Sequence, residues 1–435
     1  MTKFKGLIIG GGLTGLAVGM TSNMPIVEAE TLPGGICASY YIKPGNCERL
    51  QNAPEDGEAY RFEVGGGHWI FGGDAAMHYF LRSLAPVKSY NRKSSVYFHG
   101  EKTYVPYPIQ NHLSYLEQDV AVKALLEIMD YKKAPFLTMK EWMNQYFGPT
   151  LCDVFFYPFH ELYTANLYDR IAPQDIYKSP IDRSSVIKGA ISNAPPVGYN
   201  TSFVYPLGGL TVLAQRMAGH CHVLYNKCVK SINPTENEIA FEDGDLFSYD
   251  ILVSTLPLNN LIKMTGLSLD DDPPYTSVLV LNIGAIRGNQ CPNDHWLYTP
   301  KTKAHFHRVG FYSNVDTSFL PLSSREHQDK ISIYVEKAYP GSAKPSHEEI
   351  QKYGKQVIQE LQEWEFIQDA EVVDPTWIDI AYTWSWPESK WRDKAIRTLE
   401  KNNIFPVGRY GRWNFIGIAD SIRDGLLIGS SLMNL

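Results

Sequence analysis

KGLIIGGGLTGLAVGMTSNMPIVEAE, residues 5–30, decides the fold. Lys5 to Ile9 is a short apolar run, the segment from Gly12 to about Thr21 has helical composition, and Pro25 to Glu28 is again strand-like, giving a β-turn-α-β unit. Gly10, Gly12 and Gly15 form GxGxxG where the first strand hands over to the helix. The first glycine permits the tight turn, the second lets a pyrophosphate approach the backbone, and the third lets helix and strand pack closely. Helix-terminal N–H groups then face the phosphates. Glu28 closes the second strand, where a carboxylate can accept hydrogen bonds from ribose hydroxyls.

Working outward, two further strand patterns belong with this unit. Ile251 to Thr255 follows the polar turn EDGD, and Asn403 to Val407 leads into GRYGRWNFIGIADSIRDGLLIG. Between the N-terminal unit and these two strands, residues of about 110 to 195 have helical composition, and between the two strands residues of about 275 to 385 carry alternating runs such as SVLVLNIGAI and KISIYVEKAY that suit an antiparallel sheet. The stretch around HEEIQKYGKQVIQELQEWE is amphipathic with a helical period. The expected fold class is α/β: a Rossmann-like dinucleotide-binding domain assembled from separated segments, with a helical insert and a mostly antiparallel sheet. The expected spans are 1–85, 197–262 and 399–435 for the three parts of the binding domain, 86–196 for the helical insert, and 263–398 for the sheet.

Composition excludes several function classes. Forty basic against 47 acidic residues, a net charge of −7, argues against a nucleic-acid or anionic-membrane partner, so any anionic ligand must be held locally. The six cysteines (37, 47, 152, 221, 228, 291) form no CxxC pair and no zinc spacing, which points to reduced thiols in a cytoplasmic protein. No apolar run reaches the 18 residues of a membrane span, and the N-terminal apolar stretch lacks a signal-peptide cleavage pattern. His305 and His307 make an HxH without an evident third ligand, and no metal is expected. No G-x-S-x-G elbow or comparable setting surrounds a Ser or Cys.

Glu28 leads through five residues to Gly34 and Gly35, and this E-x5-GG resembles the FAD-binding continuation of the amine-oxidase-like flavoproteins. RFEVGGGHWIF (61–71) is similar to the histidine loop of flavin-dependent UDP-galactopyranose mutases, especially the eukaryotic type. Gly66 and Gly67 would allow backbone to lie close to a planar ring, and His68 takes the position of the histidine held against the flavin. The similarity continues through VPYPIQN (105–111), EWMNQYFGPTLCDVFFYPF (141–159), FVYPLGGL (203–210), ILVSTLP (251–257), HRVGFYSN (307–314) and GRYGRW (408–413).

This resemblance implies FAD, active in its reduced form with N5 as nucleophile, and interconversion of the pyranose and furanose forms of a nucleotide-diphosphate sugar. It gives Arg183 and Arg308 the role of a pyrophosphate clamp, for which a guanidinium fork is chemically suited. Arg409 and Asp420 stand at cofactor positions, and Tyr107 and Gln110 at positions that help bind the uridine. Several positions depart from the family. Val315 and Trp386 stand where tyrosines are expected, Phe415 replaces a tyrosine of the C-terminal motif, and His160 and Thr164 replace polar partners of the base. The sugar or base is therefore expected to differ. A reductant, NAD(P)H or a redox protein, is implied as partner, and self-association is left open. Two other readings share the motifs: an FAD-dependent oxidoreductase of the amine oxidase or desaturase type, and a flavin-bearing binding protein without turnover.

Overall fold

The computed structural model describes residues 2–131, 134–174, 181–193, 200–270 and 272–433. Strand β1 (Thr2–Ile9), helix α1 (Leu13–Ser22) and strand β2 (Ile26–Val27) form the N-terminal unit. The two distant segments join it directly. Strand Leu246–Ser254 runs parallel to β1, with Ile9 opposite Ser254, and strand Ile404–Pro406 runs parallel to Leu246–Ser254. Val223–Leu224 pairs with β2 on the other edge. The C-terminal ends of these parallel strands therefore lie side by side, at Gly10, Glu28, Thr255 and Val407, which is where open α/β sheets bind ligands.

The third segment is locked in by small residues. Helix Ile418–Leu432 packs along α1, where a Cβ on Gly425 would come within 2.5 Å of the Thr14 carbonyl oxygen and one on Gly429 would overlap Thr21. Only glycine lets the two backbones approach this closely. The separated parts thus form one layered unit, as the apolar patterns predict.

The second sheet has the strand order Ile367–Thr383, Tyr275–Arg287, Lys330–Pro340, Arg308–Phe311, Trp296–Tyr298, Ser94–Phe98, Thr103–Pro106. Every pairing is antiparallel except that between Trp296–Tyr298 and Ser94–Phe98. Its amphipathic helix His347–Glu363 starts with a capping box on Ser346 and Glu349. Residues 87–106, expected within the helical insert, instead form three strands. Val87–Asn91 pairs with Ser202–Pro206, and the other two extend the second sheet. Their β-branched and aromatic residues in alternation, SSVYF and TYVP, account for this. Helices follow from Gln118 to Ile191 and enclose an aromatic core of Trp142, Phe147, Phe155 and Phe156.

All six cysteines are free. Among the described residues no helix is long and apolar enough to cross a membrane, and no group of three or more His, Cys, Asp or Glu could hold a metal ion. The HxH residues do not share a strand face: His305 is exposed with φ +60°, whereas His307 is buried.

Candidate active site

A cavity of about 600 Å³ runs from the glycine turn to the helical insert, in the size range of ligand pockets. Its first end is made by Gly10, Gly12, Thr14, Glu28, Gly34 and Gly35. Gly10 takes φ +100° and Gly34 φ +117°, and a Cβ on Gly15 would collide with the Gly10 carbonyl oxygen. This cradle exists only without side chains. Glu28 is 8% exposed; Oε2 accepts the Gly11 N–H at 2.5 Å and Oε1 the Glu30 N–H at 2.9 Å. Burial raises its carboxyl above the ordinary range, partly offset by those N–H groups. These residues fit the pyrophosphate and ribose of a dinucleotide.

The middle of the cavity is made by the histidine loop and the C-terminal motif. Gly65, Gly67 and His68 line it, while Gly66, with φ +77°, sits behind, so close to Glu336 that a Cβ would lie 2.9 Å from Oε1. Burial, and next the charge of Arg409, push the His68 imidazole down to about 4, so it is neutral near pH 7. Arg409 lines the opposite side. Its Nη2 donates to the Ala381 carbonyl at 2.9 Å, its guanidinium lies 4.2 Å over the Phe415 ring, and its buried Nε has no protein partner. An orphaned buried donor beside a glycine loop and a neutral imidazole fits a planar ring carrying acceptor atoms. Asp420, in the first turn of Ile418–Leu432, also lines this part.

The far end is built by the antiparallel sheet. Tyr298, Arg308, Glu336 and Val280 are opposite one another across four adjacent strands and therefore share one face. Arg308 keeps 22% of its side chain exposed, while Glu336 behind it keeps 2%. Oε2 of Glu336 accepts from Arg308 Nε at 2.9 Å and Nη2 at 2.5 Å, and His307 Nε2 lies 3.5 Å away. Burial alone would raise the Glu336 carboxyl, but the Arg308 charge and the bonds from His307 and Arg308 hold it down at about 2. The Tyr107 ring lies tilted against Tyr298, 4.6 Å between centroids, and Phe159, Tyr163 and Tyr382 complete an aromatic wall. Arg92, 6% exposed, also lines the cavity and donates to the Tyr107 carbonyl at 2.9 Å.

Not every residue singled out from sequence reaches this cavity. Arg183 is exposed in the first turn of helix Arg183–Ile191, next to the N-cap Asp182 and with its charge bearing on Tyr131. It is not among the described residues that line the cavity with Arg308; the adjoining residues 175–180 lie outside the described residues. Gln110 is buried in the turn Ile109–Asn111, outside the cavity wall. His160 is turned to helix ending, its Nδ1 2.7 Å from the Phe156 carbonyl, and Thr164 donates to the His160 carbonyl at 2.6 Å. Trp386 donates to the Asp272 carbonyl at 3.1 Å, outside the wall.

Val315 lines a separate polar cavity with Lys88, Lys93 and Asp316, whereas Tyr298 and Tyr382 face Arg308. Arg92, Tyr163, Tyr298, Glu336 and Tyr382 are wall residues that no motif identifies. Glu336 did carry a signal, as a carboxylate at an inward position of the apolar run ISIYVEKAY.

The model of the family described as flavin containing amine oxidoreductase matches residues 23–279. The fold is similar to the crystal structure of reduced UDP-galactopyranose mutase (TM-score 0.83, 22% identity, covering 99% of this chain and 95% of that one). It is also similar to an oxidoreductase from Methanosarcina mazei (0.62, 14%, 98% and 99%) and to putrescine oxidase bound to putrescine (0.57, 14%, 100% and 99%). With the glycine cradle, Glu28 and the histidine loop in place at the ends of its parallel strands, the chain belongs to the flavin containing amine oxidoreductase family.

Proposed function

We propose that this flavoprotein is an isomerase of the UDP-galactopyranose mutase kind, interconverting pyranose and furanose forms of a nucleotide-diphosphate sugar with reduced FAD. The observation that carries the reading is Arg308, open to the cavity between Tyr298 and Tyr382 and across from the histidine loop. A guanidinium flanked by phenol hydroxyls suits diphosphate oxygens. Arg92 adds positive charge to the same end, where Glu336 is already paired with Arg308, and Arg409 adds it in the middle of the cavity.

When bound and reduced, FAD supplies a nucleophilic N5 for the anomeric carbon, so the chain's own share is positioning and electrostatics. Arg308 holds the diphosphate, neutral His68 fixes the flavin without adding charge beside it, and Tyr107, Phe159 and Tyr163 cover the nucleotide end against water. The reductant is NAD(P)H or a redox protein, and six free cysteines suit the cytoplasm.

An FAD-dependent oxidoreductase of the amine oxidase type is the second reading, favoured by the family match. Three arginines in the wall oppose the cationic substrate of an amine oxidase. The test is anaerobic incubation of the dithionite-reduced holoprotein with UDP-galactopyranose and other nucleotide hexoses, followed by chromatography. A ring isomer formed without net acceptor consumption is expected. Absence of any isomer, together with oxygen uptake by the oxidised holoprotein on an amine in a separate aerobic assay, sinks the mutase reading.

A further inference from the structure

We propose that Glu336 is a positioning residue that sets how tightly Arg308 grips an anionic leaving group; the proposal rests on the mutase reading above. Arg308 lines the cavity, yet two of its nitrogens are already committed to one carboxylate oxygen. The pair is cross-strand, Arg308 opposite Glu336, so the sheet itself fixes the fork. At 2% exposure Glu336 cannot exchange this partner for water.

Two consequences follow for the ligand. The carboxylate orients the guanidinium, leaving its remaining edge toward the cavity, and it also offsets the charge that Arg308 itself would present to a diphosphate. A bare buried arginine would hold a nucleotide diphosphate strongly in every state, whereas a reaction that detaches the diphosphate and reattaches it needs a moderate grip. Glu336 also reaches the flavin side. Its Oε1 is buried without a partner and lies against Gly66, where even a Cβ would be only 2.9 Å away. The same side chain therefore props the histidine loop and the leaving-group cation at a fixed separation.

Glu336→Gln keeps the shape and removes the charge, while Glu336→Asp keeps the charge and withdraws it from the fork. With reduced holoprotein and UDP as the probe, the glutamine variant is expected to bind UDP about tenfold tighter, because the ligand now relieves an uncompensated buried cation. Its turnover falls while KM falls too. The aspartate variant is expected to lose kcat/KM with UDP affinity within about twofold of the parent. A merely structural role would weaken binding in both. A glutamine variant that keeps its flavin spectrum and binds UDP no tighter than the parent overturns the proposal. If that variant does not accumulate with flavin, the aspartate variant decides, and parent-like turnover there overturns it. Arg308→Met separates the underlying reading: it should weaken UDP binding tenfold or more, and parent-like UDP binding would refute the diphosphate site itself.

Discussion

Replacing Gly15 by alanine sets two magnitudes against each other. Gly15 lies inside α1, with ordinary helical backbone, so helix propensity alone would stabilise the alanine form by about 1 kcal/mol. The added Cβ, however, would overlap the carbonyl oxygen of Gly10. That obstacle is backbone, held between β1 and the helix, and cannot rotate away as a side-chain end would. Overpacking of this kind costs about 1–3 kcal/mol, toward the upper end when the backbone must move. The net expectation is a loss of about 1–2 kcal/mol. The displaced atom belongs to the turn that cradles the cofactor pyrophosphate, so FAD affinity should fall by about tenfold for each 1.4 kcal/mol that reaches the bound state. Thermal unfolding of apo and holo protein, with FAD titrated into the apo form, reads both effects. Gly100→Ala is the control, since nothing lies within 4 Å of its added Cβ and its change should stay within about 0.5 kcal/mol. A Gly15→Ala protein as stable as the parent, with unchanged FAD affinity, would refute the close-approach reasoning.

Three other outcomes are expected. Tyr298→Phe and Tyr382→Phe should each weaken UDP binding by about 1 kcal/mol, as loss of a hydroxyl contact does, while Val315→Tyr and Trp386→Tyr leave it unchanged; calorimetry that reverses this order would give the diphosphate contact back to positions 315 and 386. Glu63 is fully buried; burial is the largest influence and pushes its carboxyl up to about 7, despite bonds from Tyr205 and Ser39 and the nearby Arg61 charge. Because the folded value is raised above the ordinary 4.5, its stabilising protonated form is intact below pH 4.5 and is lost as pH rises toward 7. Melting temperature of the parent relative to Glu63→Gln should therefore decline across that window, and a rising difference would contradict the assignment. Cys37 lines the cofactor cavity and burial drives its thiol up to about 12, whereas Cys47 and Cys228 are exposed. Thiol labelling followed by peptide mass analysis should mark the exposed pair in the holoprotein, and Cys37 only after flavin is stripped; fast Cys37 labelling with flavin in place would place the ring elsewhere.

The parts of this molecule that were legible in the sequence are those imposed by local backbone geometry. GxGxxG followed by an acid at the next strand end is a demand of three adjacent elements, and it leads to Gly10, Gly15 and Glu28 directly. The apolar runs at 251–255 and 403–407 could be assigned to the same sheet because parallel strands buried on both faces read as continuous hydrophobic stretches. The strands at 87–106 were harder to see, since they are short and lie next to a long helical stretch whose period dominates the composition.

The far end of the cavity depends on register instead, and register is a relation between residues distant in the chain. Counting seven positions forward from Arg308 leads to Val315, but strand Arg308–Phe311 has ended by then and the chain has turned through Tyr312–Val315 into the neighbouring polar cavity. The tyrosine that faces Arg308 is reached across the ladder rather than along the chain: Tyr298 pairs with Arg308, and Arg308 with Glu336. Trp386 fails for the same reason, lying past the end of strand Ile367–Thr383, while Tyr382 still sits on it. A period of two on a twisted sheet carries a side chain to the opposite face with each single-residue slip, so positional matching stays dependable only while the strand continues. Val315 and Trp386 therefore fall off the cavity wall that Arg308 lines, whereas Phe415, reached through the C-terminal motif, stays on it with the Arg409 guanidinium 4.2 Å over its ring.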